Sequence, residues 1–224
     1  MKSYSELKFK VMPDQLDDLV YILDQHYHNS DPYPEGVVDS VYFDTLDMKS
    51  FDQCLDGSFE KAKFRVRGYG DGTFSQAHLK RKLLYEVHKT KAKVEPIRFD
   101  DLRSWSDLVA RAGQEDLFRE ITLASLQSGP LFPTARIVYK RKRFRAFDFR
   151  LTIDYDIRVI AANGVHPWMK REVYFPHHVL ELKSYQKRPH IPLLGSMKLQ
   201  QISFSKYMQG IFFLQGQEAL GIAV

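Results

Sequence analysis

The chain has 224 residues, 44% hydrophobic and 13% aromatic, enough for a packed core that folds by itself. A formal charge of +5 and a pI near 9.1 favour an anionic partner, and the single cysteine, Cys54, excludes an internal disulfide and argues against a cysteine-built zinc site. The opening "MKSYSELKFKV" lacks an apolar signal-peptide core, and "MQGIFFLQGQEALGIAV" is broken by Gln209, Gln215, Gln217 and Glu218 before it reaches a membrane-spanning length, so a soluble, cytoplasmic protein is expected.

In chain order, period-2 alternation predicts strands at Glu6–Val11, Asp39–Asp44, Lys61–Gly68, Ser75–Leu84, Thr134–Arg143, Phe147–Asp156 and His178–Ser184. Helical spacing falls between them. "PDQLDDLVYILDQHY" starts with proline and acidic residues and sets Leu16, Leu19, Val20 and Leu23 on one face. "DDLRSWSDLVARAG" and "EDLFREITLASLQSG" read as a helical pair, each ending at glycine, and "SFSKYMQGIFFLQ" as a last helix. No linker, repeat or glycine-rich phosphate loop interrupts the series. One α+β domain over residues 1–224 is predicted: an antiparallel tunnel or barrel flanked by amphipathic helices.

The charges repeat from strand to strand. Lys61, Lys63, Arg65 and Arg67 share one parity, with Ala62, Phe64 and Val66 on the other. Glu6, Lys8 and Lys10 oppose Leu7, Phe9 and Val11; His78, Lys80 and Lys82 share a face, as do Arg141, Arg143 and Arg145. Glu181 and Lys183 oppose Leu180 and Leu182, and Asp148, Arg150, Thr152 and Asp154 oppose Phe149, Leu151 and Ile153. On an outward face the two signs would be interspersed, because like charges opposite one another destabilise a sheet. Turned inward, the charged faces line a wet channel suited to a polyanion, and the apolar faces pack under the helices. Phe9, Phe64 and Phe149 alternate with the cations and so point away from them, which favours phosphate groups over stacked bases; no nucleic acid is expected. Glu6 and Glu181, in matching "ELK" triplets, either neutralise lysines or supply oxygen ligands to Mg2+ or Mn2+.

The ordered series "ELKFKV", "SVYFDT", "FRVRGYG", "HLKRK", "YKRKRF", "FRLTIDYDI", "VLELKSY" and "FSKY" resembles the VTC (vacuolar transporter chaperone) domain of polyphosphate polymerases, in the triphosphate tunnel metalloenzyme superfamily. The resemblance spans roughly Ser5 to Gly210. It implies a tunnel that binds ATP and polyphosphate with a divalent metal. It matches Lys8, Arg65, Arg67, Lys80 or Lys82, Arg141 and Arg150 to the family's phosphate-handling cations, Glu181 to its metal-binding glutamate, and Lys183 and Lys206 to further phosphate contacts. Lys206, on the predicted last helix, rests on the motif alone. Two departures stand out: His78 replaces a common glutamate, and Gly68 replaces a large aromatic. An imidazole weakens a metal site, so His78 reads as a structural or phosphate-bonding residue.

The resemblance implies transfer of the γ-phosphoryl group of ATP to phosphate or to a polyphosphate end. The alternatives are a metal-dependent tripolyphosphatase and a non-catalytic polyphosphate-binding module. No general base is evident in the tunnel, and an ionised phosphate acceptor needs none, which favours polymerisation. "HKTKAKVEP" reads as a solvated basic loop with His88, Lys89, Lys91 and Lys93, while Asp44 and Asp47 read as turn and cap residues. Asp154 is open between salt bridge and ligand. A separate membrane protein is a possible partner.

Overall fold

The computed structural model describes residues 5–27, 31–70, 72–84, 86–111, 116–145, 148–162, 166, 169–186 and 192–216. Among these residues ten strands form one sheet: β1 (Ser5–Val11), β2 (Glu35–Asp44), β3 (Glu60–Gly68), β4 (Thr73–Leu83), β5 (Glu86–Arg98), β6 (Phe132–Arg145), β7 (Phe149–Ala161), β8 (Glu172–Tyr174), β9 (His178–Ser184) and β10 (Gln200–Gln201). The order is β10-β1-β9-β7-β6-β2-β3-β4-β5, with β8 beside β7, and every pairing is antiparallel.

Among the described residues six α-helices accompany the sheet: α1 (Leu16–His26), α2 (Lys49–Leu55), α3 (Trp105–Arg111), α4 (Asp116–Ser128), α5 (Pro192–Ser196) and α6 (Lys206–Leu214). Their apolar faces pack on the strands in three clusters. Phe51 of α2 and Ile211 and Phe212 of α6 pack on Val38, Ile137, Ile157 and Val159. Trp105, Leu108, Ile121 and Ala124 of α3 and α4 pack on Phe43, Phe64, Val66 and Leu79. Leu19 and Leu23 of α1 and Leu194 of α5 pack on Phe144, Leu151, Leu180 and Leu182. The second and third clusters lie on the side opposite the alternating charges, whereas the first lies on the charged side, where Val38 and Tyr42 alternate with Val41 and Phe43 on β2 and Ile137 and Tyr139 share the parity of Arg141 on β6.

Each of the seven expected strands is present, within a few residues of its expected bounds. β2 runs back to Glu35, and β7 starts at Phe149, the expected start at Phe147 lying outside the described residues. β4 stops at Leu83, because Leu84 has φ of 52° and opens a turn. The basic stretch read as a loop is instead β5, which pairs with β4 from Thr73↔Arg98 to Leu83↔Glu86. Residues 100–104 are not helical beyond a 3-10 turn at Phe99–Asp101; α3 begins at Trp105. α2 was not legible as a helix and is held from outside: Asp44, at the end of β2, accepts from Ser50 N at 2.8 Å and Phe51 N at 3.0 Å, and its Oδ2 also accepts from Tyr207 Oη at 2.5 Å.

The sheet is not closed into a barrel. β5 forms one edge, β1 with the two-residue β10 forms the other, and no backbone ladder joins them among the described residues. The sheet curls nevertheless, since Lys89 of β5 and Glu6 of β1 approach to 3.6 Å.

Candidate functional site: a cation-lined cavity

Curling turns the charged face of the sheet inward around a cavity of about 630 Å3. Among the described residues, twelve Lys or Arg side chains line it against four Asp or Glu. The expected residues that meet there are Glu6 and Lys8 from β1, Lys63, Arg65 and Arg67 from β3, His78 and Lys80 from β4, Arg141 from β6, Arg150 from β7, Glu181 and Lys183 from β9, and Lys206 from α6. Lys10, Lys82 and Arg143 do not line it: Lys10 and Lys82 share the parity but sit too far along their strands, whereas Arg143, between the lining Arg141 and Arg145, directs its Nη1 to Tyr33 O at 2.8 Å. Phe149, expected to face away, touches the cavity rim while packing edge-on against Tyr27.

Lys89, Lys91 and Arg145 also line the cavity, as do Tyr42, Tyr139 and Ser205. The first two belong to β5, whose alternation of Lys89 and Lys91 with buried Thr90 and Ala92 was the available signal. Cross-strand register stacks like charges: Lys63 faces Lys80, which faces Lys89, and at the other end Lys183 faces Arg150, which faces Arg145. A sheet tolerates such rows where an anion compensates them.

At the floor, Asp154 is fully buried and bonded on both oxygens, by Arg141 at 2.5 and 2.8 Å and by Lys206 at 2.6 Å. This resolves Asp154 as a salt-bridge residue. Burial works against the charges of both cations, but Asp154 and Tyr139 hold Arg141 and Lys206 protonated, Arg141 strongly so. The Tyr139 ring lies between them, 5.3 Å from the Arg141 guanidinium and 5.0 Å from Lys206 Nζ. Lys206 reaches this position because α6 begins at the cavity, where its N-cap Ser205 accepts from Lys63 Nζ at 2.9 Å, and Lys8 Nζ donates to Phe204 O at 2.8 Å.

On the β3 side, Arg65 Nη1 donates to Tyr42 Oη at 2.9 Å. Burial pushes the phenol up, but Arg65, Arg67 and Lys206 outweigh it and bring Tyr42 down to about 8. Burial, with Arg65, Arg67 and Lys91, drives His78 down to about 2, so its ring is neutral and its Nε2 lies 3.3 Å from Gln76 Oε1. Lys80 looks into the open cavity; loss of hydration and the charges of Lys8, Lys89 and Lys63 bring it to about 8 against the pull of Glu6. Gly68, the departure after the arginine pair, has its own reason: a Cβ there would lie 1.9 Å from Thr73 O, at the irregularity where β3 and β4 change register.

Two carboxylates of adjacent strands remain for a metal. Burial raises Glu181, but Lys183, Lys8, Lys206 and Arg141 hold it well below the usual carboxylate range. Burial and Glu181 raise Glu6, and Lys8, Lys183 and Lys80 more than offset them. Both stay ionised. No cluster of three or more His, Cys, Asp or Glu occurs among the described residues. Glu181 and Glu6 supply hard oxygen donors of the kind that would suit a divalent cation.

A curled antiparallel sheet whose concave side concentrates Lys and Arg around one cavity, with helices packed on it, is the architecture of this chain. The VTC domain family model matches residues 3–215, and the chain belongs to that family. No curated protein matches it. Its fold is similar to that of a crystal structure from Bacillus halodurans called a "putative adenylate cyclase", with a TM-score of 0.56 and 14% identity over 92% of this chain and 96% of that one. A conserved hypothetical protein from Pyrococcus furiosus aligns at a TM-score of 0.42 and 13% identity, over 96% and 92% of the two chains. Among the described residues no helix is long and apolar enough to cross a membrane.

Proposed function

We propose that the protein is a polyphosphate polymerase that transfers the γ-phosphoryl group of ATP to phosphate or to the end of a polyphosphate chain, with the curled sheet acting as a tunnel. The observation that carries this reading is the excess of twelve cationic side chains over four carboxylates in one cavity. Phosphoryl transfer needs charge stabilisation and in-line positioning rather than covalent participation by the protein. Membership of the VTC family supports the choice of a phosphate chain as the anion.

In this reading Arg65, Arg67, Arg141 and Lys206 hold the equatorial oxygens of the transferred group, and the Lys8, Lys63, Lys80 and Lys89 side orients the flanking phosphates. An ionised oxygen of the acceptor phosphate forms a bond to the γ-phosphorus as the bond to the β,γ-bridging oxygen breaks, and ADP departs with that electron pair. No proton has to be removed from the acceptor. A Mn2+ or Mg2+ ion held by Glu181 and Glu6 would supply further neutralisation of phosphate charge.

Hydrolysis is the less favoured chemistry because, among the described residues, each carboxylate lining the cavity is already engaged: Glu6 with Lys8 and Lys89, Glu181 with Lys183, Asp31 with Tyr33 N, and Asp148 with Gln186. None of these is left free to activate water. The test is incubation with ATP and Mn2+ or Mg2+, following ADP, phosphate and polyphosphate by 31P NMR. Accumulating chains support the polymerase; free phosphate without chains identifies a tripolyphosphatase; tripolyphosphate binding without turnover identifies a binding module.

A further inference from the structure

We infer that Lys61 and Lys82 form a binding subsite outside the cavity for the part of a phosphate chain that leaves it along β3 and β4. The inference rests on the cavity being a phosphate-chain site. The two residues are direct cross-strand partners, one rung beyond Lys63 and Lys80. Alternate residues share a face, and two residues span roughly 6.7 Å of strand. The cations therefore continue in register from Arg67 through Arg65, Lys63 and Lys61 on β3, and from Lys80 to Lys82 on β4, past the last side chains that line the cavity.

No carboxylate among the described residues forms an ion pair with this outer rung, whereas the neighbouring outward-facing Arg81 is 3.7 Å from Glu60. The β5 residue opposite Lys82 is Val87, which carries no charge. Burial, Lys82 and Lys63 all disfavour the charged form of Lys61, which lies below its ordinary value despite the opposing influence of Cys54. Uncompensated like charges placed directly opposite each other cost stability, and a polyanion running along the rung removes that cost. The rung is also terminal: the next β3–β4 pair is Glu60 with Leu83, and Leu84 N donates to Phe59 O at 2.9 Å at the open end of the hairpin. A chain that reaches Lys61 and Lys82 has thus come to the end of this strand pair, so the pair discriminates long chains from short ones.

The test measures affinity for tripolyphosphate and for long-chain polyphosphate by isothermal titration at several salt concentrations. Lys61→Gln is expected to weaken long-chain binding by up to roughly fivefold, the scale of one solvent-facing ionic contact. The slope of log affinity against log salt should fall by roughly 0.7 for the lysine removed. Tripolyphosphate affinity should stay as in the wild type, Lys61→Arg should retain long-chain binding, and Lys82→Gln should weaken the long chain by the same order. Equal loss for both ligands, or no loss for either, overturns the subsite while leaving the cavity reading intact. A wild type that binds neither ligand overturns both.

Discussion

Lys89 Nζ lies 3.6 Å from Glu6 Oε2, an ion pair between the two strands at the unpaired margins of the sheet. The same glutamate lies 3.1 Å from Lys8, and its side chain is 22% accessible. Solvent-facing pairs of this kind contribute little to folding, so Glu6→Gln should lower stability by less than about 1 kcal/mol in urea unfolding. A larger loss would mean that the pair holds the curl of the sheet together.

Asp154 is the opposite case. Arg141 and Lys206 both depend on it, and it has no solvent exposure. Asp154→Asn strands two buried cations and should cost about 3–5 kcal/mol. Tripolyphosphate should restore part of the lost thermal stability, because it supplies negative charge to the same cations; thermal denaturation with and without the ligand measures both effects.

His78 gives a pH dependence with a definite sign. The unfolded chain takes up a proton near pH 6.5, whereas the folded protein keeps the ring neutral down to about pH 2. Stability therefore falls as pH drops through 6.5, and it returns as pH rises. Between pH 7 and 5.5 the contribution is about 1 kcal/mol. His78→Gln should flatten that part of the curve, and an unchanged slope in the variant would assign it to other groups.

Glu181→Gln separates metal binding from anion binding. Removing this negative charge beside Lys183, Lys8 and Lys206 should tighten tripolyphosphate binding in the absence of metal. It should also abolish any gain from Mn2+. Titrations with and without Mn2+ read the two effects independently, and a variant that keeps the full Mn2+ effect would remove Glu181 from the metal site.

Gly210 of α6 sits where a Cβ would lie 3.0 and 3.1 Å from the two γ-carbons of fully buried Val159. Gly210→Ala should cost about 1–3 kcal/mol by overpacking. Because α6 also carries Ser205 and Lys206, the resulting shift should reduce tripolyphosphate affinity. Chemical denaturation and titration check the pair of outcomes, and Val159→Ala should rescue both.

The alternating strands were legible because each has one face under a helix, which leaves a period of two in residues such as Lys63, Phe64, Arg65 and Val66. β5 was hidden because its buried positions include the small or polar Thr90 and Ala92, which give a weak apolar signal beside Lys89 and Lys91. α2 was hidden because its stabilising cap, Asp44, belongs to the preceding strand and acts through tertiary contact. Parity identified the face of Lys10 and Lys82 but says nothing about how far along a strand the cavity extends, and it does not reveal that Arg143 turns to the Tyr33 carbonyl. The order of the strands, with β9 between β1 and β7, depends on pairings distant in sequence that no local pattern encodes.

The unjoined margin has a topological consequence. A closed ring of backbone hydrogen bonds would encircle a filament, which could then enter or leave only end first. Among the described residues the Glu6–Lys89 contact spans the margin through side chains and no backbone ladder does, so a filament bound in the cavity would not be interlocked with the backbone around it. Parting that contact would open a sideways path, whatever the length of the filament's tails.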